Sequence, residues 1–179
     1  MAEFYDREKD ASLGGDKKYD NFYLKLRHAV ESYAGSGKGG AIAEYLLYLP
    51  DFFYLLVKLS TDKRVPRANR TQIIAAIAYC LSPLDVIPDI LPGLGWVDDL
   101  YLALIVTDNL MNAVEIDVIE DYWPGDDDIV HFIKIALDRL NDKLGVGAIS
   151  RILAKLSSAK EADDVVPSEA DFDTYFEDK

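Results

Sequence analysis

The stretch from Ser82 to Asp99, SPLDVIPDILPGLGWVDD, constrains the fold more than any other, because it holds three prolines, two glycines and four aspartates between two strongly apolar segments. Proline lacks a backbone donor and clashes with the preceding helical turn, so neither a helix nor a central strand runs through this stretch unbroken. The run Ile73-Ile74-Ala75-Ala76-Ile77-Ala78-Tyr79-Cys80-Leu81 lies before it, and Leu100 to Val106 follows it. Both are apolar on every side, which predicts buried helices rather than surface ones. The segment therefore reads as an ordered connection that turns the chain around between two packed, antiparallel helices.

Helical periodicity accounts for the rest of the body. Phe22, Tyr23, Leu26, Ala29, Val30 and Tyr33 recur at three and four residues and predict a first helix over 19–33. It runs into GSGKGG at 35–40, where Ser32 and Gly39 stand at the places in which a phosphate-binding loop needs Gly and Ser or Thr, so a helix stop is expected instead. Ala41 to Ser60 is apolar nearly all round and is interrupted at Leu49-Pro50-Asp51, which predicts two helices or one sharp kink. Pro66 suits the start of the next helix. Arg67 and Arg70 then sit near its positive end, so an anionic group is expected close by. Asp126-Asp127-Asp128 suits the opening of a helix with a stripe of Ile129, Ile133, Ala136, Leu137, Leu140 and Leu144, and a last helix is expected over Ala148 to Ser158.

No strand is predicted. The expectation is an all-α, compact helical domain of six to eight helices with a central buried antiparallel pair joined by the Pro/Asp-rich connection. It spans 21–160, between a flexible polar N-terminus, 1–20, and an acidic tail, 161–179.

Charge and cysteine content narrow the classes of function. The chain of 179 residues has a net charge of -13. Eight of its acids against one lysine lie in the tail, a balance unsuited to phosphate backbones, so nucleic acid is not an expected partner. Cys80 is the single cysteine and excludes an internal disulfide, which together with a charged start that does not resemble a signal peptide suggests the cytoplasm. The longest charge-free stretch, Thr71 to Leu84, is 14 residues, short of the ~20 of a spanning helix. Membrane association at the surface, or partial insertion, stays open because Ala41 to Leu59 and Ile73 to Val106 are so apolar.

The order Leu49-Pro50-Asp51, Val65-Pro66, Ala78-Tyr79, Ser82-Pro83-Leu84-Asp85, Ile87-Pro88-Asp89, Gly95 and Asp98-Asp99-Leu100 resembles the YkvA-like family of small bacterial proteins, a domain of unknown function. The resemblance covers roughly 21–112 and is strongest at 78–100. It implies a helical domain, sometimes described as membrane-associated, and it supplies no catalytic residue.

Two readings of the Pro/Asp segment remain. In the structural one, Ser82, Pro83 and Asp85 form a capping box, Asp98 caps the following helix with Asp99 in its first turn, Gly95 permits the turn, and Pro88-Asp89 lies between them. In the chemical one, Asp85, Asp89, Asp98 and Asp99 gather around a point and hold Mg or Ca, since clustered carboxylates repel one another unless a hard cation or arginines neutralise them. An acid-base pair would need partners the sequence does not place nearby: His28 and His131 are on separate amphipathic helices and read as surface residues. In the tail, Phe172, Tyr175 and Phe176 fall on one face of a short helix that would be ordered only on docking. The function expected is therefore non-enzymatic association with a protein partner or membrane surface, with a metal-binding protein or metal-dependent enzyme as the alternative and partial membrane insertion as a further one.

Overall fold

The computed structural model describes residues 17–37, 40–81, 94–125, 128–144 and 150. Its helices are α1 (Lys17–Gly35), α2 (Ala43–Leu46), α3 (Leu49–Thr61), α4 (Arg67–Cys80), α5 (Leu94–Met111), α6 (Ile116–Glu120) and α7 (Ile129–Leu144), with a single 3-10 turn, Gly40–Ile42, ahead of α2. There is no strand among the described residues, so the fold is all-α. The capping box, Asp85, Pro88 and Asp89, the expected helix over Ala148 to Ser158 apart from Ser150, and the whole tail lie outside the described residues.

Local chemistry explains where these helices begin and end. At the end of α1 the Ser36 amide donates to the Ser32 carbonyl at 3.1 Å and its hydroxyl to the Tyr33 carbonyl at 2.6 Å. Gly37 then takes φ +72°, the left-handed conformation that only glycine adopts without cost. The break expected near Pro50 occurs just before it: α2 closes at Leu46, and α3 restarts at Leu49 with Pro50 in its first turn, where the missing N–H has no helical partner to lose. At the start of α7 the Asp128 carboxylate accepts from the His131 amide at 3.1 Å, the capping role expected of that acidic run.

α4 and α5 pack against each other as the apolar runs predict, and α3 joins them as a third central element. It packs against α1, α4 and α5. Nine of its residues are buried, Leu49, Pro50, Asp51, Phe52, Phe53, Leu55, Leu56, Val57 and Leu59. Removal of each such Leu or Phe side chain from water contributes about 1.5–3 kcal/mol, which makes α3 and α5 the chief contributors to the core. α4 is more one-sided than its composition indicates: Ile73, Ala76, Ile77 and Cys80 are buried, whereas Ile74, Ala78 and Tyr79 are half-buried. α7 closes the bundle against α5 through Ile129, Ile133, Ala136 and Leu140.

Candidate functional site

Of the eight residues that carry the Pro/Asp motif, Gly95, Asp98 and Asp99 are described, and all three lie within α5. This corrects the capping assignment. α5 begins at Leu94, so Asp98 is in the second turn rather than at the N-cap. The helix starts a turn early because Trp96 and Val97 are both buried, and helical backbone carries them into the core. Asp98 is half-buried and Asp99 only 3% exposed. Neither is without a partner. Adjacent helical positions point about 100° apart, so the two carboxylates leave the helix in different directions. Among the described residues no three His, Cys, Asp or Glu side chains are arranged to hold a metal ion. His28 and His131 are exposed, as expected.

A second polar group lies deep between α1 and α3. Arg27 is 6% exposed and Asp51 not at all. The Arg27 Nη2 donates to Asp51 Oδ1 at 2.5 Å and also to the Tyr23 hydroxyl, while Tyr23 donates to the same Asp51 oxygen at 3.0 Å. Burial, and then the Asp51 charge, push the Tyr23 phenol above its ordinary value, so it stays protonated and remains a donor. Burial alone would pull the Arg27 guanidinium down. The Asp51 carboxylate, the Tyr23 hydroxyl and Glu31 together outweigh it, and the net shift is upward. Such a network ties two helices together at a fixed register, and nothing in it combines a nucleophile with a base.

Helical periodicity puts Tyr23 on the core face and by itself assigns no role to Arg27. The signal was a charge four residues after a core tyrosine, inside one apolar stripe, together with a lone aspartate in another.

The remaining feature is an aromatic face that starts beside a basic loop. Arg64 holds Asp62 through its side chain at 2.7 to 3.2 Å and its amide at 2.7 Å, and reaches Asp121 at 2.6 Å. Tyr122 donates to Asp62 at 2.9 Å, and the guanidinium of Arg64 lies 5.8 Å from the centre of its ring. Hydrogen bonds from Arg64 hold the Asp62 carboxyl well below the usual carboxylate range. Asp62 and Asp121 thus serve Arg64, whereas Lys63, Arg67 and Arg70, the last two being those beside which an anion is expected, form no ion pair among the described residues. Trp123, next to Tyr122, stacks on Tyr48 with planes 7° apart and centroids 6.5 Å apart. Phe132 of α7 meets Tyr48 at 4.1 Å and Tyr45 at 6.2 Å. Tyr45, Tyr48, Tyr122, Trp123 and Phe132 are all half-buried, and Ile135, one turn beyond Phe132, is 41% exposed. Half-buried aromatic rings with an exposed Ile one turn away are the kind of residues that binding surfaces use.

Comparison with known proteins bears on the motif. Residues 69–105 match the family model described as Protein of unknown function (DUF1232). The match is to a family without an assigned activity. It spans α4, the Pro/Asp connection and the first two-thirds of α5. "Uncharacterized protein ORF9" of Methanothermobacter thermautotrophicus is 27% identical over 99 residues, covering 55% of this chain and 68% of that protein. No solved structure matches the chain.

Proposed function

We propose that this chain is a non-enzymatic helical protein, with a YkvA-like domain at its centre, that acts by association with a protein partner or a membrane surface. The observation that carries this reading is the half-exposed aromatic face of Tyr45, Tyr48, Trp123 and Phe132 with Ile135 at its edge. Rings of this kind present large rigid apolar area with little entropy to lose on binding, which is why Tyr and Trp dominate interface energetics. The test is pull-down from lysate and vesicle flotation with the full chain and with Ile135→Glu and Tyr45→Glu, both on the solvent side of the face. Retention by wild type and release of the variants supports the reading. A wild-type protein that runs as a monomer, ignores vesicles and retrieves nothing ends it.

Partial membrane insertion is a second reading, favoured by the near-continuous helical stretch Gly40–Thr61. Its 22 residues hold an 18-residue window with a mean hydropathy of 1.3, long and apolar enough to cross a bilayer by length and composition, longer than the charge-free stretch in the sequence suggests. Against it, 56% of that apolar window is buried within the fold, and Asp51 lies inside it. A charged side chain at the bilayer centre costs about 2.5–3.5 kcal/mol. Resistance of the protein to alkaline carbonate extraction would support insertion, and full release would rule it out.

A divalent-ion site at Asp85, Asp89, Asp98 and Asp99 is favoured only by the burial of Asp99, and calorimetry with Mg, Ca and Mn decides it.

A further inference from the structure

The aromatic face and the basic loop adjoin. Tyr122 and Trp123 are consecutive, and while Tyr122 is hydrogen-bonded to Asp62 in the loop, Trp123 stacks on Tyr48 in the aromatic face. At the loop end, residues 62–70 carry Lys63, Arg64, Arg67 and Arg70 against Asp62, four positive charges less one, or +3, in a chain whose net charge is -13. Arg64 is occupied by Asp62 and Asp121. Lys63 and Arg67 are exposed, and they have no ion pair among the described residues.

The α-helix dipole works against Arg67 and Arg70 in the first turn of α4, so an anion from elsewhere would relieve a standing repulsion. A binder for this surface should be acidic and should also carry aromatic or aliphatic anchors spaced along one helix face. The chain holds such a segment. Residues 161–179 carry eight acids and one lysine, a net -7, and within them Phe172, Tyr175 and Phe176 stand at i, i+3 and i+4.

We propose that the C-terminal segment 161–179 of this same chain is the occupant of that face, its carboxylates toward Lys63 and Arg67 and its three aromatics on Tyr48, Trp123 and Phe132. The proposal rests on the reading of the aromatic face as a binding surface. It adds that the face is held by the tail in the absence of a partner, so that association is a displacement. Reach favours this arrangement: 16 residues, 145–160, separate the end of α7 from the segment, and even with the expected helix over Ala148 to Ser158 they span about 30 Å. Tethering favours it as well, since a segment of the same chain competes for the face at a raised effective concentration.

The test uses the full chain and zero-length carbodiimide coupling, which joins a lysine amine to a carboxylate in contact with it. The expected product is an intramolecular bond between Lys63 and a carboxylate of 161–179, found by peptide mapping of the monomer band and suppressed by high salt. In Phe172→Ala/Tyr175→Ala/Phe176→Ala its yield falls about tenfold, as loss of aromatic anchors does. Acrylamide quenching of Trp123, the half-buried one of two tryptophans, rises in the same variant, with the helical circular dichroism retained as the control on folding.

Lys63 joined only to acids outside the tail, or quenching that the triple variant leaves unchanged, overturns the proposal. Tail links confined to a dimer band overturn it too, because they place the tail on a second copy. The readouts need no partner. An intramolecular link in a protein that binds no partner and no vesicle removes the association reading alone, while association without the link removes this proposal alone.

Discussion

Arg27 of α1 and Asp51 of α3 meet at 2.5 Å with almost no solvent contact, across 24 residues of sequence, and Tyr23 bonds to both. Two charges so placed are costly to remove from water, and their attraction and hydrogen bonds offset that cost only while both are present. Asp51→Ala therefore leaves a buried guanidinium without its carboxylate and should lower stability by about 3–5 kcal/mol, whereas Arg27→Met/Asp51→Leu should come within about 1–2 kcal/mol of wild type or exceed it. Urea denaturation of the two single variants and the double reads the difference. A double variant as unstable as Asp51→Ala would show that the network does more than satisfy its own charges.

Asp62 makes the stability depend on pH in a predictable direction. Its carboxyl, held by Arg64, has a folded pKa below its unfolded value of about 3.9. A depressed carboxylate contributes stability that is complete above the unfolded pKa and is lost as pH falls through the folded one. The melting-temperature gap between wild type and Asp62→Asn should thus stay constant from neutral pH to about 5 and narrow as pH falls below 4. The Arg64 side chain is 47% exposed, so the gap should also shrink in high salt. A gap that widens on acidification would contradict the assignment.

The packing at Trp123 can be disturbed from outside the ring. A Cβ added at Gly125 would fall 2.5 to 2.6 Å from Cε2, Cζ2 and Nε1 of that indole. Gly125→Ala must displace the ring and with it the stack on Tyr48, at a cost of about 1–3 kcal/mol, the range for overpacking. A red-shifted tryptophan emission and a lower melting temperature are expected together. An unchanged emission spectrum would mean that the backbone moves instead of the ring.

What was legible in the sequence follows from periodicity and from proline. The all-α class, the interruption before Pro50, the glycine stop after α1 and the Asp128 cap rest on local rules, and each is in the structure. Two things were not local. The place of α3 among α1, α4 and α5 depends on tertiary packing. The start of α5 at Leu94, before the aspartates, depends on burying Trp96 and Val97, a demand that overrides the preference of aspartate for N-caps. The aromatic face is half visible: within the apolar stretch Ala41 to Ser60, Phe52 and Phe53 are core, but Tyr45, Tyr48 and Tyr54 are only half-buried, a difference that composition does not carry.

The neighbours Ile73 and Ile74 separate composition from burial most cleanly. Both stand in the same uninterrupted apolar run, which by itself predicts that α4 is buried on all sides. Ile73 is 0% exposed and packs in the core, while Ile74 is half-buried. The residues are one helical step apart and so face about 100° apart, enough to put one against the core and the other at its edge. Ile73→Ala should cost about 2–5 kcal/mol through lost transfer energy and the cavity left behind, because neighbouring helices confine the site. Ile74→Ala leaves no closed cavity and should cost about 1 kcal/mol, in proportion to the area it removes from contact. Paired urea titrations measure both. If Ile74→Ala matched Ile73→Ala, the outer side of α4 would be covered in solution, and a partner or another part of the chain would have to lie on it.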